Sequence, residues 1–142
     1  MPEAQGSVTI DRPVAEVFAF VADGTTATRW RPGVKDVELV SGQGLGAVYR
    51  QGVAGPGGRR IAADYRVSRF EPNRLIEFEA IAGPVRPTGS FRFEEAGGGT
   101  RMSFALQAEV TGVKKLVMGR AVQKSMDAEV AALGNLKRVL EA

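Results

Sequence analysis

The stretch TGVKKLVMGRAVQKSMDAEVAALGNLKRVLEA, residues 111–142, constrains this chain more than any other part of it. At about 100° per residue, Met118, Val122, Met126, Val130, Leu133, Leu136 and Leu140 share one arc, with Ala121, Ala132 and Val139 at its edge. Arg120, Gln123, Lys124, Asp127, Asn135, Arg138 and Glu141 take the opposite side. The pattern predicts a long amphipathic helix. Thr111 suits its N-cap, and Lys137 and Arg138 suit the negative pole of its dipole. Gly119 and Gly134 each cost about 1 kcal/mol against Ala, so a bend or a close backbone contact is expected at each. Such a helix spans about 40 Å, longer than a small domain is wide, and must lie across a large apolar surface. Glu129 breaks the pattern by sitting inside the apolar arc. A lone buried carboxylate is expensive. Glu129 is therefore expected to pair with a sheet residue such as Arg50, to be protonated, to reach water through a rotated helix, or to act as a polar anchor inside a pocket.

Length and charge set the outer limits. The 142 residues fit a single domain, 1–142, with no linker, repeat or low-complexity segment. A net charge of +3, scattered along the chain, gives no footprint for nucleic acid. No apolar run is long enough for membrane insertion, and residues 1–10 lack a signal-peptide layout, so the expected location is cytoplasmic. Histidine and cysteine are both absent, which removes the common zinc ligand sets and the Ser-His and Cys-His catalytic pairs. No spaced acidic loop offers an oxygen-ligated metal site, and no glycine-rich phosphate or dinucleotide motif is present. The GQGLG at 42–46 reads as a turn between strands. Neither a metal nor a cofactor is expected.

In chain order, GSVTI predicts a first strand over about residues 6–11. Asp11 as cap and Pro13 in the first turn then start a short helix over 13–22, whose Val14, Val17, Phe18 and Val21 form its buried face. TTATRW continues as a second short helix, stopped by Pro32 and Gly33. From Val34 to Val110 the period changes to two, in the runs VKDVELVSG, GAVYRQGVA, RIAADYRVSRF, LIEFEAIA, GSFRFEE and RMSFALQAEV. Turn signals separate them. One-sided alternation in successive short strands predicts an antiparallel meander with one wet and one dry face. The fold class is therefore α+β: a curved antiparallel sheet of about seven strands around a long C-terminal helix, with two short helices after the first strand. A helix laid across a bent sheet leaves an apolar cavity unless large side chains fill it.

The segments IDRPVAEVFAFVAD, TRWRPGV, YRVSRFEPNRLIEF and NLKRVLE resemble the corresponding stretches of bacterial polyketide cyclase/dehydrase and lipid-transport (SRPBCC) proteins, within the START-like helix-grip superfamily. The resemblance covers the whole chain. It implies the helix-grip fold, but no catalytic signature travels with it, and the fold hosts many roles, from lipid carriers to aromatase/cyclases and co-chaperones.

Three function classes stand open. The first is binding, as carrier or sensor, of a hydrophobic or aromatic small molecule between helix and sheet. The candidate lining is Trp30, Tyr49, Tyr65, Phe78, Phe91, Met102, Phe104, Val122 and Met126, each of which plain core packing also explains, together with Glu129, for which an ion pair or a rotated helix is the plainer account. The second is a metal-independent polyketide cyclase or dehydratase in the same cavity, with Glu129, Tyr49 and Tyr65 as candidates for moving protons. The third is a protein-interaction module, for which the alternation shows no apolar patch. The expected assembly is a monomer or homodimer. Since no cluster of ligands has metal spacing, adding chelator is expected to leave both melting temperature and ligand binding unchanged. A chelator-sensitive melt would reveal an oxygen-ligated site.

Overall fold

Alternating side chains, glycine turns and one apolar helical face build the architecture seen in the computed structural model. The structure describes residues 3–83, 85–108 and 114–142, without the side chains of 56, 114–119 and 121. Strand β1 (Glu3–Ile10) is followed by helix α1 (Val14–Ala22) and a 3₁₀ segment (Gly24–Arg29). Strands β2 (Val34–Ser41), β3 (Val48–Ala54), β4 (Arg60–Ala62), β5 (Tyr65–Glu71), β6 (Leu75–Ala80), β7 (Thr88–Ala96) and β8 (Gly99–Gln107) come next. The chain ends in α2 (Lys114–Ala131) and α3 (Leu133–Glu141). All pairings are antiparallel, in the order β1-β8-β7-β6-β5-β3-β2, with β4 added on β3. Since β4 and β5 lie on one line, this is a curled seven-strand sheet gripping a C-terminal helix, the expected α+β helix-grip class. No helix among the described residues is long and apolar enough to cross a membrane.

Local chemistry explains the turns. Gly97 and Gly98 both have positive φ, 57° and 88°, which a two-residue hairpin loop matched to strand twist requires. Asn73, with φ 63°, turns the β5–β6 hairpin, because its short polar side chain tolerates the left-handed region.

Several boundaries differ from the sequence expectation. Strand β1 starts at Glu3 rather than near residue 6, since pairing with β8 extends it beyond its β-branched residues. Pro13, not Asp11, holds the cap position of α1, and no side chain caps it. Asp23 caps the 3₁₀ segment instead, accepting from Thr25 N at 3.1 Å. The run RIAADYRVSRF is interrupted at Ala63–Asp64. The long helix tightens at Ala132, whose N–H is shared between the Ala128 and Glu129 carbonyls, both at 3.2 Å. That irregularity precedes Gly134, where nothing stands within 4 Å of an added Cβ. The expected Thr111 cap lies outside the described residues, as do the side chains of Met118 and Ala121.

The core lies between the inner sheet face and the helices. Ile10, Val17, Met102, Phe104 and Leu136 are each fully buried. Phe18 meets Phe70 and Phe93 edge-on, with centroids 5.3 and 5.0 Å away, and closes one end. On α2 and α3, Met126, Ala132, Leu133 and Leu136 are buried, with Val122, Val130 and Leu140 packed beside them. Gly6 permits the close approach to β1, for a Cβ there would lie 2.6 Å from Val130 Cγ1.

Polar contacts hold the helix to the same strand. Glu3 N donates to Gln123 Oε1 at 3.0 Å, and Lys137 Nζ donates to Thr9 O at 2.7 Å. Glu141 Oε2 accepts from Asp11 N and from Lys137 Nζ, both at 2.7 Å. The Asp11 N–H first, and Lys137 second, hold the Glu141 carboxyl below its ordinary range. A depressed folded-state pKa stabilises above the ordinary glutamate range, and that contribution is lost as pH falls through the depressed value. Glu141→Gln is therefore expected to lower the melting temperature slightly at neutral pH, with the difference from wild type closing on acidification. A difference that stays constant with pH in parallel thermal melts would refute this.

Candidate functional site

The inner face of the sheet is an aromatic ladder. Neighbouring strands of the sheet supply Tyr49 from β3, Tyr65 from β5, Phe78 from β6, Phe91 from β7 and Phe104 from β8, with Phe78 set diagonally to the rings on either side. Tyr49 stacks on Tyr65 with centroids 5.0 Å apart, and Phe91 stacks on Phe104 at 4.5 Å. Phe78 bridges the two pairs, 5.6 Å from each of Tyr65 and Phe91. Register explains the continuity. Tyr49 faces Tyr65 and Phe91 faces Phe104, while Phe78 faces Gly89. Gly89 makes room for this, since a Cβ would lie 2.4 Å from Phe78 Cζ and 2.9 Å from Leu106 Cδ2.

Trp30, just after the 3₁₀ segment, presents its edge to Phe91 and Phe104 at 6.2 and 6.4 Å. It is only 3% exposed, so the ring fills the interior, and its carbonyl accepts from Asn135 Nδ2 at 3.1 Å. Burial dips in the middle of the ladder. Tyr49, Phe91, Phe104 and Met126 are enclosed, whereas Tyr65, Phe78 and Val122 are only partly buried. Met102 sits apart from the partly buried rungs, fully buried between Val8 and Phe93.

Polar groups gather where Tyr49 and Tyr65 meet the 3₁₀ segment. Tyr49 Oη accepts from Gly24 N at 3.3 Å and donates to Ala22 O at 3.4 Å. Gly24 must be small, because a Cβ would come within 2.3 Å of the Tyr65 hydroxyl. Burial, and then neighbouring Tyr49, push the Tyr65 phenol well above its usual pKa, while Arg31 pulls weakly the other way. Tyr65 is thus a neutral hydroxyl at any physiological pH.

Glu129 does face the interior side of the helix, and its partner is Arg31 rather than Arg50. Arg31 Nε donates to Glu129 Oε2 at 2.5 Å, with the two side chains only 12% and 14% exposed. Arg50 is spent on Glu38 at 2.7 Å, on the exposed side. Among the described residues Glu129 has no hydrogen bond to Tyr49 or Tyr65, so the three candidate proton-moving groups are not joined in one network. Glycine again permits the approach, since a Cβ on Gly33 would lie 2.9 Å from Glu129 Oε1. The sequence reasoning overlooked Arg31 and Gln51. Arg31 stood beside Trp30 in TRWRPGV but had no periodicity to mark it, and Gln51 alternates with Tyr49 on the dry face.

The wet face carries shallower features. A half-open recess of about 660 Å³ runs past Gln5, Glu77, Glu79 and Ser90, with Phe78 and Leu106 also in its lining. Its lining is mixed, with the larger share polar, which suits water better than an apolar ligand.

A curved antiparallel sheet with a dry aromatic inner wall, gripping one long helix, defines the START-like class of folds. The chain belongs to the polyketide cyclase/dehydrase and lipid transport family, which it matches over residues 1–141. A Thermus thermophilus protein of known structure shares the fold at 21% identity and TM-score 0.82, over 96% of this chain and 95% of that one. A START superfamily protein from Mycobacterium smegmatis does so at 18% identity and TM-score 0.80, over 98% and 97% of the two chains. The Zhui aromatase/cyclase of a Streptomyces species does so at 18% and 0.71, over 99% and 96%. At these identities the likeness is one of fold. No curated protein matches the sequence.

The Arg31–Glu129 pair is expected to be structural. Removing one partner of a buried pair strands the other, which costs about 3–5 kcal/mol when fully buried and about 1–3 kcal/mol with the slight exposure here. Glu129→Gln and Arg31→Met should each lower stability in that range, and the double variant should lose less than their sum. Additive losses in urea melts of the four proteins would show that the contact contributes nothing.

Proposed function

We propose that this protein binds a hydrophobic or aromatic small molecule between its C-terminal helix and the inner sheet face, as a carrier or sensor. The observation that carries this reading is the aromatic ladder, whose middle rungs are the less completely buried ones. Tyr65, Phe78 and Val122 keep some apolar surface uncovered on the face that the rest of the core fills. A flat or flexible apolar molecule laid there would remove that surface from water, worth about 25 cal/mol per Å². Glycines at 24 and 89 keep the wall free of side chains that would obstruct it. The family's description and the aromatase/cyclase among the fold relatives support a ligand of this kind.

The cyclase or dehydratase reading draws on the neutral Tyr65 hydroxyl, which is suited to donating a hydrogen bond to a carbonyl. It is weakened by Glu129, whose carboxylate is held by Arg31 and is poorly placed to exchange protons. The interaction-module reading rests on Leu39, Val40 and Leu45, which stand 44%, 53% and 66% exposed on the edge strand β2 and the loop after it. Three scattered side chains make a small patch.

N-phenyl-1-naphthylamine, a neutral dye whose emission rises in apolar surroundings, tests the binding reading. Its signal should saturate and be displaced by palmitate or by anthracene. Phe78→Ala should weaken dye affinity roughly tenfold, the loss expected for about 1–2 kcal/mol of ring contact. A signal that never saturates, or one indifferent to Phe78→Ala, would overturn the proposal.

A further inference from the structure

Gln51 lies in the middle of β3 on the inner face, two residues from Tyr49, and is only 5% exposed. Its strand partner is broken there. Register runs on unchanged across the gap, for Gly52 faces Ala62 and Tyr49 faces Tyr65, yet the ladder is not completed at Ala63. Ala63 N donates to Gln51 O at 2.8 Å, but the return bond is missing. Gln51 N donates instead to Asp64 Oδ1 at 3.1 Å, and Ala63 O accepts from the Gln51 side chain, Nε2, at 3.3 Å. The side-chain amide thus patches the break in the sheet.

This patch fixes which way the amide faces. Turning it over would set Oε1 against the Ala63 carbonyl, oxygen against oxygen. Oε1 is therefore the free end, and it is a buried acceptor with no hydrogen-bond partner among the described residues. Buried polar groups are almost always satisfied, and an exception calls for a cause. The amide is anchored at Ala63, two residues before Tyr65 along the same strand line, and Tyr65 is a half-buried ring of the ladder stacked on Tyr49.

We propose that Gln51 Oε1 selects the bound molecule by accepting a hydrogen bond from a ligand hydroxyl, phenolic or alcoholic, on an otherwise apolar skeleton. The inference rests on the binding reading given above. Because Nε2 is held at Ala63 O, the amide cannot turn over, and the position of Oε1 can only accept. A ligand that places an ether, a ketone or a carboxylate there presents only lone pairs to Oε1 and leaves that acceptor unsatisfied. Sites built around a buried hydrogen-bonding group discriminate strongly against analogues that lack the partner.

A matched probe pair tests this, with 2-naphthol and 2-methoxynaphthalene competing for bound N-phenyl-1-naphthylamine. Wild type should favour the naphthol by about tenfold or more. Gln51→Leu should erase that preference by weakening naphthol alone. Gln51→Glu replaces the amide but keeps an acceptor oxygen, and should retain the preference. The wild-type comparison stands even if a variant fails to fold. The proposal is overturned if wild type binds both probes equally, if Gln51→Leu keeps the preference, or if both variants lose it together. If dye and both naphthalenes fail to bind wild type at all, the binding reading itself falls, and this inference with it.

Discussion

Ile10, Tyr49, Val67, Ile76, Phe91, Phe93, Met102 and Phe104 line the inside of the sheet, and the apolar stripe of α2 and α3 is the cover that takes them out of water. Each large side chain so buried contributes about 1.5–3 kcal/mol. The exposed ion pairs of the outer face, such as Arg60–Asp36 and Arg50–Glu38, stand in water that screens them and contribute little. Burial therefore decides the fold. It also decides which residues must be small, because the helix can ride this low on β1 only where Gly6 clears Val130.

Burial is non-directional, so it does not fix how the helix is turned or where along the sheet it stops. Polar contacts do that. Gln123 meets the backbone of Glu3 at one end of β1, while Lys137 and Glu141 meet Thr9 and Asp11 at the other. Asn135 bonds the Trp30 carbonyl, and Glu129 takes Arg31. These last two tie the helix to one short segment after α1, which is also the segment that seats Trp30 against the ladder. Helix rotation and the packing of the aromatic wall are thus set by the same few residues.

The site inherits its character from this arrangement. Its closed end, around Phe18, Phe93 and Met102, is packed like any core. Toward Tyr65 and Phe78 the packing loosens, and two polar groups stand out there, the Tyr65 phenol and an amide oxygen without a partner among the described residues. Apolar wall with a few oriented polar atoms is the usual composition of a small-molecule site.

Period and turn chemistry in the sequence were enough for the architecture. Alternation in six runs, glycine and asparagine turns, and the arc from Val122 to Leu140 left one economical assembly, because each strand has a single dry face and only one helix is long enough to cover it. The sequence also supplied the ladder residues, since Tyr49, Tyr65, Phe78, Phe91 and Phe104 fall on the dry phase of their strands. It showed that Glu129 lay on the wrong face for a free carboxylate. The tertiary structure alone decided its partner: Arg31 is 98 positions away, in a turn with no periodicity to reveal where its side chain goes. The break at Ala63–Asp64 was equally hidden, for its residues keep the alternation of an unbroken strand. Whether an amide oxygen ends up satisfied depends on which neighbour fills its ladder position, and that is settled between strands and not along them.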